Sequence, residues 1–120
     1  MKVRLNPGAS TRQIAAGVDH LVVGVYRWNG EDPFVMLLDE DDVPFGADLG
    51  DVVTVDDRIP SCWTAVIDDD GTLSVQPGPW QHAAFWHVFW GEEHSRAAEL
   101  PRNVRPIFEE ELAWIRREVG

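Results

Sequence analysis

Three histidines within thirteen residues, His82, His87 and His94, are the side chains best placed by spacing to do chemistry, and Glu92 and Glu93 stand next to the last of them. Imidazoles and carboxylates of this kind can hold zinc between them. The spacing works against it. Ligands on one helix face recur at i and i+4, whereas His82 and His87 are five apart and lie about 140° from each other around a helix axis. His94 falls beyond Gly91, a helix-stopping residue. The histidines are therefore expected to make local hydrogen bonds, with no metal and no other cofactor.

Cys62 is the one cysteine, so neither an internal disulfide nor a zinc ribbon can form. With His82 or His87 as base it could act as a thiol nucleophile. Its place beside Trp63 in an apolar run predicts a buried, inert thiol instead. The chain has no Gly-x-Ser-x-Gly elbow, no Walker loop and no dinucleotide fingerprint. Asp68-Asp69-Asp70-Gly71 has the start of a calcium loop but lacks the alternating donors and terminal glutamate such a loop needs.

The carboxylates are the stronger signal. Between Asn29 and Gly78 there are thirteen Asp and Glu residues and one cation, Arg58, within a chain whose formal net charge is -11. A block of this kind makes a one-signed field that attracts cationic partners and repels nucleic acid and anionic lipid. Lys2, Arg4, Arg12 and Arg27 are the only clustered cations, too few for a phosphate backbone. The expected partner is a protein with a basic surface. Asp39, Glu40, Asp41, Asp42, Asp48, Asp51, Asp56, Asp57, Asp68, Asp69 and Asp70 are expected to form its docking face, with Trp28 and Trp63 as aromatic anchors.

The elements that must position these groups follow from pattern. Val3–Leu5 alternates and stops at Asn6-Pro7-Gly8, and Ser10 with Gln13 fits a capping box for a short helix over Thr11–Ala16. Leu21–Tyr26 and Phe34–Leu38 are strand-length apolar runs joined by the Asn29–Pro33 loop. Val43–Gly46 predicts a brief edge pairing, Val52–Val55 a strand, and Cys62–Ile67 with Thr72–Val75 a hairpin around an Asp-Gly turn. From Pro79 the pattern changes. Trp80–Trp90 predicts a helix of about three turns, with a strand over Phe85–Trp90 as the competing reading. Ser95–Leu100 predicts a short helix, and Phe108, Leu112, Ile115 and Val119 mark one face of a final helix opened by Pro106. The fold class expected is α+β: a small, strongly bent antiparallel sheet or open barrel of five to six strands, with C-terminal helices packed on it. One domain spans residues 1–120, β-rich over residues 1–78 and helical over residues 79–120. With no long apolar run and no leader-like start, the expected location is the cytoplasm.

Val55-Asp56-Asp57-Arg58-Ile59-Pro60-Ser61-Cys62-Trp63, then Pro79-Trp80, then Phe85-Trp86-His87-Val88-Phe89-Trp90-Gly91, together resemble a pattern in small bacterial proteins, some of them similar to immunity proteins of polymorphic toxin systems. The resemblance covers about a third of the chain. It implies a compact β-rich module with C-terminal helices and no catalysis of its own, and it supplies no binding residues. Composition and resemblance together favour a non-catalytic acidic binding protein that inhibits a cationic enzyme such as a nuclease toxin. An acidic housekeeping or assembly domain, kept soluble by its charge, is the first alternative. A small hydrolase or isomerase with dispersed carboxylates is the second.

Overall fold

The computed structural model describes residues 1–7 and 17–120; the capping box and helix expected over 10–16 lie outside the described residues. Seven strands form one sheet: β1 (Lys2–Leu5), β2 (His20–Arg27), β3 (Phe34–Leu38), β4 (Pro44–Asp48), β5 (Val52–Asp56), β6 (Trp63–Ile67) and β7 (Leu73–Pro77). All observed pairings are antiparallel. The expected strand count of five to six is exceeded because the brief pairing at Val43–Gly46 is a full strand, matched to β3 from Phe34↔Asp48 to Leu38↔Pro44.

β2 is the strand around which the sheet bends. One of its edges carries β3, while the other is shared, with β1 pairing at His20 and Leu21 and β7 at Val25 to Arg27. Its register against β3 shifts between Val22 and Gly24, the bulge that lets a strand turn from one half of a sheet to the other. Gly24 suits the bend because a Cβ there would come within 2.7 Å of the Tyr26 hydroxyl. Only the 3₁₀ turn Leu49–Asp51 joins β4 to β5, at opposite ends of the strand order β4-β3-β2-β1-β5. Leu49 N–H reaches the Pro33 carbonyl and Asn6 N–H reaches the Asp51 carbonyl, so the two edges curl toward each other. The sheet stays open, since β4, β5 and β6 each pair on one side.

The helical portion departs from expectation over Trp80–Trp90. A 3₁₀ turn, Gly78–Gln81, comes first; the chain straightens at His82 (ψ 135°), and α1 covers only Phe85–Phe89. The His82 ring accepts the Ala84 N–H at 3.0 Å, a side-chain bond that competes with a continuous helix. The break lets Trp80 and Phe85, both with no exposed surface, enter the core together. Gly91, at φ +73°, ends the segment. Ser95–Leu100 holds one 3₁₀ turn, Ala97–Glu99.

α2 (Arg105–Val119) is as expected, with proline in its first turn and Arg116 and Arg117 near the negative end of its dipole. Its buried residues Phe108, Leu112, Ile115 and Val119 join Val3, Val22, Val35 and Leu37 of the sheet and Trp80 and Phe85 in one core. Trp80 stacks on Phe108 at 5.0 Å and meets Trp86 edge-on at 5.5 Å, arrangements worth about 0.5–1.5 kcal/mol each beyond the area they bury. Polar ties fix the end of α2. Glu118 accepts the Ser61 amide at 2.8 Å, the Ser61 hydroxyl and the Trp114 indole N–H, while Arg116 reaches Asp42. No helix among the described residues is long and apolar enough to cross a membrane.

Candidate docking surface and the cleft beside it

One rung of the sheet organises the site. Asp48 faces Phe34, Phe34 faces Tyr26, Tyr26 faces Ser74, and Ser74 faces Val66, so a row of five side chains crosses five strands on one face. Just past this row come the β2–β3 loop and the β6–β7 turn. They bring Glu31, Asp32, Asp68, Asp69 and Asp70 to the same end of the sheet as Asp48. The loop and the turn touch: a Cβ on Gly71, whose φ is +87°, would sit 2.9 Å from Cγ of Asn29. Glycine is thus required there both for the left-handed backbone and for the close approach. The Thr72 amide donates to Asp70 at 2.9 Å and holds its carboxyl below the usual range.

Among these carboxylates stands Trp28, 59% exposed, its ring tilted against Phe34 at 5.2 Å. Its neighbour Arg27 is exposed, with its guanidinium bonded to the Glu31 carbonyl at 3.3 Å.

Beside Trp28 opens a cleft of about 470 Å³, walled by residues of β2, β7 and the segment from Trp80 to His87, with Asp68 and Arg96 at its margin. Its floor is a closed polar network around Gln76, itself 3% exposed. Gln76 Oε1 accepts from the Tyr26 hydroxyl at 2.5 Å and from the Trp86 indole N–H at 3.0 Å. Gln76 Nε2 donates to the Trp80 carbonyl and to Gln81 Oε1, and Gln81 Nε2 donates to the Thr64 and Ser74 carbonyls at 3.0 Å. Such a network fixes the walls, because each member would be costly to leave unpartnered. Burial pushes the Tyr26 phenol well above its ordinary value, so it remains a neutral donor. At the margin, Arg96 is held by Glu99 at 2.9 and 3.0 Å, and Glu99 also faces His82 at 3.3 Å. Those contacts, the Arg96 bonds foremost, hold Glu99 down at about 2.

The remaining acidic residues lie elsewhere. Asp39, Glu40, Asp41 and Asp42 occupy the β3–β4 turn at the other end of the β3–β4 ladder. Asp39 accepts the Asp41 and Val43 amides at 2.8 and 2.9 Å, and so closes the turn. Asp42, at φ +59°, is bound by Arg116 at 2.7 Å. Asp51 belongs to the 3₁₀ turn before β5, while Asp56 ends β5 and Asp57 follows it. Arg58 grips Asp56 at 2.6 Å and, with its amide, holds that carboxyl far below the usual range. The eleven expected docking carboxylates therefore do not share one place: Asp48, Asp68, Asp69 and Asp70 lie at the end of the sheet where Trp28 stands, and the other seven do not. Trp63 is a correction of another kind. It is 9% exposed and belongs to the core, because the register Trp63↔Pro77 carries it under the sheet, so it is no anchor.

Each histidine of the suspected cluster has a local contact: His82 with Glu99, His87 with Glu92 at 3.8 Å, and His94 with the Arg96 amide. No group of three or more potential metal ligands is arranged to hold an ion among the described residues. Cys62 is half-buried against Glu111; burial first, and the Glu111 charge next, push its thiol up to about 11.

Sequence reasoning missed the cleft. Its signal was Gln76, a long polar side chain between Val75 and Pro77, followed by Gln81 five residues later. Comparison of the chain with protein-family models, with curated proteins and with solved structures finds no significant match.

Proposed function

We propose that this chain is a non-catalytic acidic binding protein that docks its Trp28 end on a protein with a basic surface, as an inhibitor or immunity protein docks on a cationic enzyme such as a nuclease toxin. One observation supports this reading above the others. Three separate chain segments bring Glu31, Asp32, Asp48, Asp68, Asp69 and Asp70 to the end of the sheet where an indole stands 59% exposed. Carboxylates so gathered steer a cationic partner and speed its association, and a desolvated tryptophan at their centre slows its departure. Trp28 is the most exposed of the indoles, at 59% against 48% for Trp90 and 41% for Trp114, and tryptophan is enriched where proteins meet. The seven carboxylates elsewhere add to the long-range field without touching the partner. The cytoplasm, where a nuclease would reach its substrate, is the compartment that goes with this reading.

The test uses the partner captured from source cells by the immobilised chain. Its association rate should fall on the order of tenfold from low to high ionic strength. Trp28→Ala, and the triple change of Asp68, Asp69 and Asp70 to Asn, should each weaken binding. Changing Glu40 and Asp41 to Gln and Asn should leave it nearly unchanged. A rate indifferent to salt, or equal effects at both ends of the sheet, would leave a charged surface that serves solubility only.

A further inference from the structure

We propose that the cleft beside Trp28 receives one arginine side chain from the docked protein, its guanidinium lying against indole and bonded to Asp68. The proposal rests on the docking reading above and names the group that reading leaves unspecified. Its volume, about 470 Å³, lies within the range of ligand pockets, and its lining combines three tryptophans, Trp28, Trp80 and Trp86, with polar Thr72 and Ser74. The Gln76 network makes the floor rigid and leaves Trp86 one orientation, its N–H already committed. What the cleft offers a guest is therefore ring surface and the free groups at its margin.

Charge decides the guest's sign. Asp68 is exposed, and its carboxylate has no partner among the described residues, with Asp69 and Asp70 next to it. The other lining groups that can carry positive charge each face a carboxylate of their own: Arg96 is bonded twice to Glu99, His82 also faces Glu99, and His87 faces Glu92, so they do not offset Asp68. An anionic guest meets Asp68, and a wholly apolar one leaves that carboxylate desolvated and unpaired, a costly arrangement. A guanidinium satisfies both features. It is planar and weakly hydrated, so it stacks on indole, and its donor fork matches a carboxylate in two bonds. A lysine ammonium supplies the charge without the planar face.

The probe is a blocked five-residue peptide with one central arginine among glycines, titrated into the full chain. Tryptophan fluorescence and the Trp86 indole N–H resonance are followed, at ionic strength matched with potassium chloride. Saturable binding is expected, with the Trp86 signal shifting. Asp68→Asn and Trp28→Ala should each weaken it by roughly fivefold or more; both positions are exposed, and unchanged thermal unfolding verifies their folds. Equal binding of the lysine peptide, or of the arginine peptide to both variants, overturns the proposal. A response no greater than that to the salt control does the same. If the captured partner still loses affinity in the Asp68–Asp70 variant while the peptide does not bind, the arginine inference fails alone. If the partner ignores both salt and those variants, the docking reading fails with it.

Discussion

The Tyr26 hydroxyl donates to Gln76 Oε1 at 2.5 Å, joining the end of β2 to the end of β7 beneath the cleft. The two residues are fifty positions apart, and Trp86 adds a second donor to the same oxygen. Gln76→Ala leaves the Tyr26 hydroxyl and the Trp86 N–H without their acceptor in a buried site, which should cost about 2–4 kcal/mol in urea unfolding. Tyr26→Phe leaves Gln76 bonded to Trp86 and should cost about 1 kcal/mol. Similar costs for the two would show that the glutamine is not the hub.

Glu111 predicts a pH dependence of stability. It sits 9% exposed on the core side of α2, its Oε2 buried without a hydrogen-bond partner among the described residues, and burial raises its carboxyl pKa. A raised carboxyl makes the native state bind more protons than the unfolded chain. Its contribution is complete below the unfolded value, about 4.3, and is lost as pH rises through the higher folded one. Glu111→Gln should therefore raise the melting temperature at neutral pH by a few degrees, ~2–5 °C. It should bring no such gain near pH 4. A variant equally stabilised at both values would rule out the ionised carboxyl as the cause.

Cys62 should react slowly. With its thiol at about 11 against an ordinary 9.0, the thiolate population at neutral pH falls about a hundredfold. Reaction with a thiol-specific disulfide reagent should be slower by about that factor than for a free cysteine. Glu111→Gln should recover some of the rate, since the carboxylate charge adds to the shift. A reaction as fast as that of the unfolded chain would contradict this.

Asp42 and Arg116 tie the β3–β4 turn to α2, with both side chains about half exposed. An exposed pair of this kind is worth below about 1 kcal/mol. The Arg116 hydrogen bond lowers the Asp42 pKa, so its share of stability is present above the unfolded carboxyl value and lost as pH falls through the lower folded one. Asp42→Asn keeps a residue suited to φ +59° and removes only the charge, so it should cost little. Asp42→Val must hold the same φ with a β-branched side chain and should cost about 1–2 kcal/mol more in thermal or urea unfolding.

Much of the architecture was legible in the chain because it rests on local signals. Strand-length apolar runs at Leu21–Tyr26 and Phe34–Leu38, the Asp-Gly turn at Gly71 and the alternating four- and three-residue spacing of Phe108, Leu112, Ile115 and Val119 each report a backbone period or a required φ. Trp80–Trp90 was not legible in the same way. Helix propensity there is overridden by the burial of Trp80 and Phe85 and by the His82 side chain bonding to the Ala84 amide.

By itself the sequence determined the acidity, the α+β composition and which segments turn, since charge, hydrophobic period and turn chemistry are carried by residues close in the chain. Only the tertiary structure decided which carboxylates keep company. Register set Asp48 in one row with Tyr26 and Ser74, and sent Asp42 across to Arg116. It likewise placed Trp63 inside and left Trp28 outside, two indoles that composition cannot tell apart. Strand pairing and helix docking join residues tens of positions apart, and a run of like charges carries no mark of the strand edge on which each will lie.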